Sequence, residues 1–305
     1  MRVTCPEGVN LLPRGYAPGM RKFMLTLLTA IALAIAPTAA SAQTTGQQIP
    51  VPGPILTKLG HTPMVELWDG GGGLPYLGSS SSYNAGDWEN VLRAYATDDP
   101  KVAGPSVYEQ QIAKVDAVAA KWLSHSGGRY KLARRGHHKR GVKLARVSHK
   151  RHGHKQHGKR AIVFDVDETA LSNYSAIDKD NFTYGTNSKA EATDEIGTAI
   201  PPTLALYKLA QKKGIATFFI TGRGEAVRDH TAHNLQREGF TGYNGLVLKP
   251  AGFTGTTVDY KAGARKAIEA DGYRIVASVG DQYSDLAGGH EAAAFKLPNP
   301  FYFLP

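Results

Sequence analysis

Two aspartates one residue apart, Asp165 and Asp167, end a short apolar run in the stretch AIVFDVDETALSN at residues 161–173. In an extended segment, residues i and i+2 project to the same side, so these two carboxylates share one small volume. Like charges that close do not both stay ionised cheaply unless a cation lies between them. The pair therefore predicts a metal-assisted site.

Three more sets of polar residues stand at comparable places. Thr221-Gly222-Arg223 follows the apolar run at residues 216–220, Lys261 falls in the first turn of an expected helix, and Asp281 and Asp285 follow the run at residues 275–279. This inventory suits phosphoryl transfer. A carboxylate nucleophile divides a very slow hydrolysis into two easier steps. A divalent cation holds the carboxylates together and offsets the charge of a phosphate. Thr221, Lys261 and free backbone N–H groups at Gly222 and Arg223 can receive the other phosphate oxygens. Lys249 ends a further apolar run and is a second candidate for the lysine role, or a surface lysine at a strand end. Arg223 reads either as a substrate contact or as an exposed arginine beside a turn. Glu168 caps a turn or touches solvent, and no chemical role is assigned to it.

These groups need a scaffold that brings them together. Ala161–Phe164, Ala216–Ile220, Gly245–Leu248 and Ile275–Val279 read as strands buried on both faces. Helices are expected between them: one starting at Pro201-Pro202 and stopping at Gly214, one over residues 225–238, and one capped by Asp259 and ending near Gly272. Strands alternating with helices predict an α/β fold, a Rossmann-like doubly wound parallel sheet. The carboxyl ends of its strands share one edge, where all four sets converge. Residues 175–198 are polar and are expected to form a loop or small cap over that edge. Tyr108, Ile112, Val115, Ala119 and Trp122 recur at helical spacing, so residues 105–128 are expected to hold a helix packed on the core.

The chain has 305 residues, a 42% hydrophobic content and a formal net charge of +10. Wholesale disorder is excluded by that apolar content. The charge is local. Residues 129–160 hold thirteen Lys or Arg, six His and no acidic residue, which leaves the remainder slightly acidic. With few large apolar residues and four glycines, this segment reads as a solvated, flexible, His-rich insertion. It is either a plain loop or a tether for a polyanion or a transition metal.

Met20-Arg21-Lys22, an apolar stretch over residues 23–35 and Ala40-Ser41-Ala42 have the order of a secretory signal peptide cleaved near Ala42. Residues 1–19 then precede the true start. The apolar stretch is shorter than the roughly 20 residues of a spanning helix, so no membrane span is expected. The single cysteine, Cys5, falls in the discarded part, and the secreted chain (extracellular or periplasmic) is expected to have no disulfide. Residues 43–104, with a Gln-, Thr- and Pro-rich start, Gly70–Gly73 and Ser79–Ser82, read as a tether and loop-rich region.

Asp165-x-Asp167-x-Thr169, Thr221, Lys261 and Gly280-Asp281-x-x-x-Asp285 resemble the four ordered motifs of the haloacid dehalogenase (HAD) superfamily. FDVDETALSNY, YKAGARKAIEADGYRIV, GDQYSDL and FKLPNPFYF are similar to the branch that contains plant vegetative storage proteins and secreted bacterial acid phosphatases. The resemblance implies a HAD-like core over residues 161–305 and a magnesium-dependent acid phosphatase acting on small phosphomonoesters. It implies Asp165 as nucleophile of an aspartyl-phosphate and Asp167 as general acid and base. Mg²⁺ would lie on Asp165, the Asp167 carbonyl and Asp281, with Asp285 orienting the ligands, while Thr221 and Lys261 clamp the phosphate. Dehalogenation is disfavoured, because it needs neither the second aspartate nor a metal. The alternative is a catalytically weak storage protein, or a polyanion- or metal-binding protein, on the same fold.

Overall fold

The computed structural model describes residues 54–67, 85–96, 105–125, 130–134, 142–146, 158–183 and 185–303. The expected leader, residues 43–53, Gly70–Gly73, Ser79–Ser82 and much of the basic segment lie outside the described residues.

Seven strands form one sheet, in the order β1 (Pro54–Leu59), β2 (Thr62–Leu67), β11 (Ala294–Lys296), β10 (Tyr273–Gly280), β5 (Lys159–Phe164), β8 (Ala216–Gly224), β9 (Gly245–Lys249). Every neighbouring pair is parallel except β1 and β2. The alternation along β5 shows why the sheet is covered on both sides. Ile162 and Phe164 join one core cluster, while Ala161 and Val163 join another on the opposite face.

Helices α2 (Val107–His125) and α5 (Pro201–Lys212) pack on the first face, and α7 (Thr257–Ala270) packs on the second. Helix α6 (Arg228–Arg237) follows a 3₁₀ turn at Glu225–Val227, a split in the single helix expected over residues 225–238. All five stripe residues of α2 are buried. The register between β10 and β5 slips between Ile275 and Ala277, and the Val276 carbonyl accepts a hydrogen bond from Trp122 Nε1 at 2.7 Å. A bulge leaves a backbone group without its ladder partner, and here a core tryptophan supplies one.

Several boundaries differ from the sequence expectation. Helix α7 is capped by Thr256, not Asp259. Asp259 sits at the third helical position, where it completes a reciprocal capping box with Thr256. Residues 43–104 are not all loop. They contribute the β1–β2 hairpin, joined by Gly60-His61 with Gly60 at φ +59°, and helix α1 (Ala85–Ala96). Arg93 of α1 reaches the cap, 2.6 Å from Asp178 Oδ1 and 2.9 Å from Asn181 Oδ1. Residues 129–160 are not all solvated either. Strands β3 (Tyr130–Arg134) and β4 (Val142–Arg146) form an antiparallel hairpin, with Leu132 buried in the main core. Its two strands place Leu132, Val142 and Leu144 on the inner face, enough to anchor a segment whose average composition is strongly polar.

The cap consists of two short helices, α3 (Tyr174–Lys179) and α4 (Thr186–Ala190), lying in sequence between the paired two-residue strands β6 (Leu171–Ser172) and β7 (Thr198–Ala199). The Asp180 carboxylate joins them by accepting from Asn187 Nδ2 and Ser188 N, both at 2.7 Å. Those bonds hold its acidity stronger than an ordinary aspartate.

Candidate active site

The carboxyl ends of β5, β8 and β10 and the start of α7 surround a cavity of about 470 Å³. Asp165, Asp167, Gly222, Arg223, Lys261, Asp281 and Asp285 all contribute to its wall. The residues singled out from sequence are thus brought to one place. Thr221 lies just behind the wall, fully buried, with Oγ1 3.4 Å from Asp167 Oδ2.

Lys261 Nζ is 2.6 Å from Asp165 Oδ1 and 2.5 Å from Asp285 Oδ1. Burial works against its ammonium, but the two carboxylates more than offset that and hold the charge in place. Lys249 also lines the cavity, yet its ammonium lies 5.9 Å from the centre of the Phe253 ring. Lys261 is therefore the lysine engaged with the aspartates.

Asp165, Asp281 and Asp285 are all buried, and each offers a carboxylate oxygen within 4.8 Å of the others. Burial, followed by the charge of Asp285, raises the pKa of both Asp165 and Asp281. One lysine does not neutralise three such groups, and three hard oxygen donors match a divalent cation such as Mg²⁺. The residues present fit a metal. Gly280, before Asp281, has a geometric reason to be glycine: a Cβ there would lie 2.5 Å from the Cβ of Asp285.

Arg223 is buried rather than exposed, which removes the reading of it as an exposed arginine beside a turn. Its Nη2 lies 2.6 Å from Asp167 Oδ1, and its Nε donates to both Asp167 oxygens. Asn173 Nδ2 adds a bond of 2.8 Å to Asp167. Burial alone would raise the pKa of Asp167, but the charge and hydrogen bonds of Arg223 outweigh it and lower the pKa. The Arg223 N–H, expected to be free for a ligand, donates instead to Thr221 Oγ1 at 3.1 Å.

Of the two readings of Glu168, the turn cap holds and contact with solvent does not. It is buried at φ +51°, accepts from the Asn173 N–H at 2.8 Å and from the Tyr302 hydroxyl, and so pins the turn after Asp167. Other residues were missed by the sequence reading. Asn299 Nδ2 and Gln282 Nε2 hold Asp281 Oδ2 at 2.8 and 2.7 Å. Arg265, one turn after Lys261, donates to the carbonyls of Asp285, Ala287 and Gly289 and fixes the loop after β10. Glu191 of the cap lines the cavity, and burial, then the nearby Asp167 charge, pushes its pKa up to about 8. Asn299 and Arg265 have no local sequence signature, since each acts across a loop that only the fold closes.

Residues 100–305 match the family described as HAD superfamily, subfamily IIIB (acid phosphatase). The chain belongs to that family. It is 35% identical to vegetative storage protein 1 of Arabidopsis thaliana over 150 residues, 47% of this chain and 55% of that protein. It is 37% identical to acid phosphatase 1 of Solanum lycopersicum over 153 residues, 48% of this chain and 60% of that one. The matches thus span little more than half the length of these relatives. Among solved structures, the class C acid phosphatase of Bacillus anthracis shares the fold with a TM-score of 0.51 and 18% identity, over 72% of this chain and 86% of that one.

Proposed function

We propose that the protein is an exported, magnesium-dependent acid phosphatase that hydrolyses small phosphomonoesters through an aspartyl-phosphate on Asp165. The observation that carries the proposal is the Asp165 carboxylate at the cavity wall, with Lys261 at 2.6 Å and two further aspartates within metal-sharing distance. The leader-type segment at residues 20–42 supports export.

In this reading Asp165 Oδ attacks phosphorus as the ester P–O bond breaks, and Asp167 gives a proton to the departing alkoxide oxygen. Asp167 then takes a proton from water, whose oxygen attacks the same phosphorus and frees Asp165 as a carboxylate. Asp165, Asp281 and Asp285 would hold the Mg²⁺, together with the Asp167 carbonyl, and the ion supplies charge neutralisation for the phosphate. Lys261 and the Gly222 N–H accompany the phosphoryl oxygens, while Thr221 Oγ1 holds the Arg223 N–H and the Asp167 carboxylate from behind the wall.

Asp167 must enter the cycle protonated, yet Arg223 depresses its pKa. A phosphate beside Arg223 competes for the same guanidinium donors. Loss of those bonds lets burial dominate and raises Asp167 toward its protonated form. An acidic medium pushes in the same direction, so turnover is expected to be faster at acid pH.

A storage role is the rival reading, because storage proteins are among the relatives. Presence of both Asp165 and Asp167 favours turnover. Hydrolysis of a generic phosphomonoester by the full chain, assayed with and without EDTA, separates the two. The expected result is EDTA-sensitive release of phosphate, restored by added Mg²⁺. No release above the uncatalysed rate would leave the storage reading.

A further inference from the structure

The basic hairpin has two unlike faces. Register places Leu132 opposite Leu144 and Arg134 opposite Val142, while Lys131 faces Ala145 and Ala133 faces Lys143. Leu132 is buried, and Val142 and Leu144 pack against the main core. The reverse face therefore carries Lys131 and Lys143, both exposed, with small alanines beside them, and Arg146 is exposed at the strand end. Among the described residues, none of these three has an ion-pair partner. The hairpin rests on β1, at the sheet edge away from β8 and β9, and on α2.

A spacer requires neither an anchor nor charge of a single sign. Here thirteen basic residues with no acid occur in one segment, and the anchor holds part of it in a fixed orientation against the catalytic unit. Like charges held together are costly unless a polymer of opposite charge lies across them.

We propose that the exposed basic surface of this hairpin, Lys131 and Lys143 on its outer face and Arg146 at the strand end, is a docking surface for an acidic polysaccharide. Two observations select that partner over nucleic acid. Residues 129–160 contain a single aromatic residue, Tyr130, so the segment has no row of rings on which the bases of a single strand could stack. The leader-type segment at residues 20–42 supports export, and outside the cytoplasm acidic polysaccharides rather than nucleic acids are the common linear polyanions. The proposal rests on the export reading but not on the phosphatase chemistry, since none of the three residues lines the cavity.

The test compares the full chain with a Lys131→Gln/Lys143→Gln/Arg146→Gln variant on immobilised heparin and immobilised polygalacturonate, eluted with a salt gradient. All three side chains are exposed, so thermal unfolding and phosphomonoester hydrolysis should match the parent. Each charge that contacts a linear polyanion contributes roughly 0.7–0.9 to the slope of log affinity against log salt, as for nucleic acids. The variant should therefore lose about two units of that slope and elute at clearly lower salt. Elution of parent and variant at the same salt, or retention that ignores salt, would overturn the docking surface. Tighter retention of the parent on immobilised duplex DNA than on both polysaccharides would overturn the assigned partner.

Discussion

Charge is placed in opposite ways in two regions of this molecule. At the carboxyl edge of the sheet, Asp165, Asp281, Asp285, Lys261 and Arg223 are buried and bonded to one another or to polar neighbours. In the β3–β4 hairpin the apolar Leu132 is buried, and Lys131, Lys143 and Arg146 are exposed. Withdrawal from water makes a charge chemically consequential, because its protonation then depends on particular neighbours. A charge left in water retains ordinary chemistry and acts only in number. The comparison predicts that substitutions in the first region change turnover or titration by large factors. In the second region, only the buried apolar side chain should matter to folding.

Asp165→Asn is expected to have the largest effect. The side chains are nearly isosteric, but the amide is no nucleophile, so turnover should fall to background, on the order of 10⁴-fold or more against typical enzymatic accelerations. Steady-state hydrolysis checks this, with the unfolding midpoint as a control for the fold. Retention of a tenth of the parental rate would remove Asp165 from its role.

Asp167→Asn should follow, with a loss of roughly 10²–10⁴-fold, the usual contribution of a positioned general acid. An aryl phosphate with an acidic leaving group needs less protonation, so the deficit should shrink along a series of leaving-group pKa values. A deficit that stays constant along the series would mean that Asp167 serves only to hold Arg223.

The same contrast explains what could be read in advance. Asp165, Asp167, Lys261, Asp281 and Asp285 were legible because each stands at the end of an apolar run or the start of a helix, where topology alone brings them together. The four central strands were legible for the same reason. Arg223 remained ambiguous because its burial depends on Asp167 and Asn173, supplied by another strand end. Strand β11 has three residues, too few for any period to register. The β1–β2 hairpin and the β3–β4 hairpin were hidden by composition, since averaging over a polar or Gly/Ser-rich region conceals two or three apolar residues at period two. The capping of α7 was misplaced by three residues because Thr256 and Asp259 are both good capping types, and only the backbone shows which one stands outside the helix.

Asp116 sharpens the comparison by separating burial from catalysis. It lies in α2, buried, with Oδ2 accepting from Thr203 Oγ1 at 3.2 Å, and it takes no part in the cavity. Burial, only partly opposed by that hydrogen bond, pushes its pKa up to about 7. A carboxyl raised in the folded state gives stability that is fully present below its unfolded pKa and is lost as pH rises through the folded value. The parent should therefore lose stability between about pH 4 and pH 7, at up to about 1.4 kcal/mol per pH unit from this group. Asp116→Asn removes that contribution. Urea unfolding at pH 5 and pH 8 should show a difference smaller in the variant by about 2–3 kcal/mol, with hydrolysis at pH 5 unaffected. Identical differences in parent and variant would show that burial here does not govern titration.

The smallest expected effect lies in the hairpin and tests its anchor directly. Leu132 is 7% exposed and belongs to the main core cluster, whereas Lys131 beside it is exposed. Leu132→Ala should destabilise the protein by about 2 kcal/mol, the low end for a buried leucine, since a site near the surface can partly collapse. Lys131→Gln should stay within about 0.5 kcal/mol of the parent, as exposed substitutions usually do. Urea unfolding separates these outcomes, with a lower midpoint and an unchanged slope for Leu132→Ala. Equal midpoints for the two variants would mean that the hairpin is not held by its leucine, and the contrast between a buried, reactive edge and an anchored, charge-bearing arm would fail at the arm.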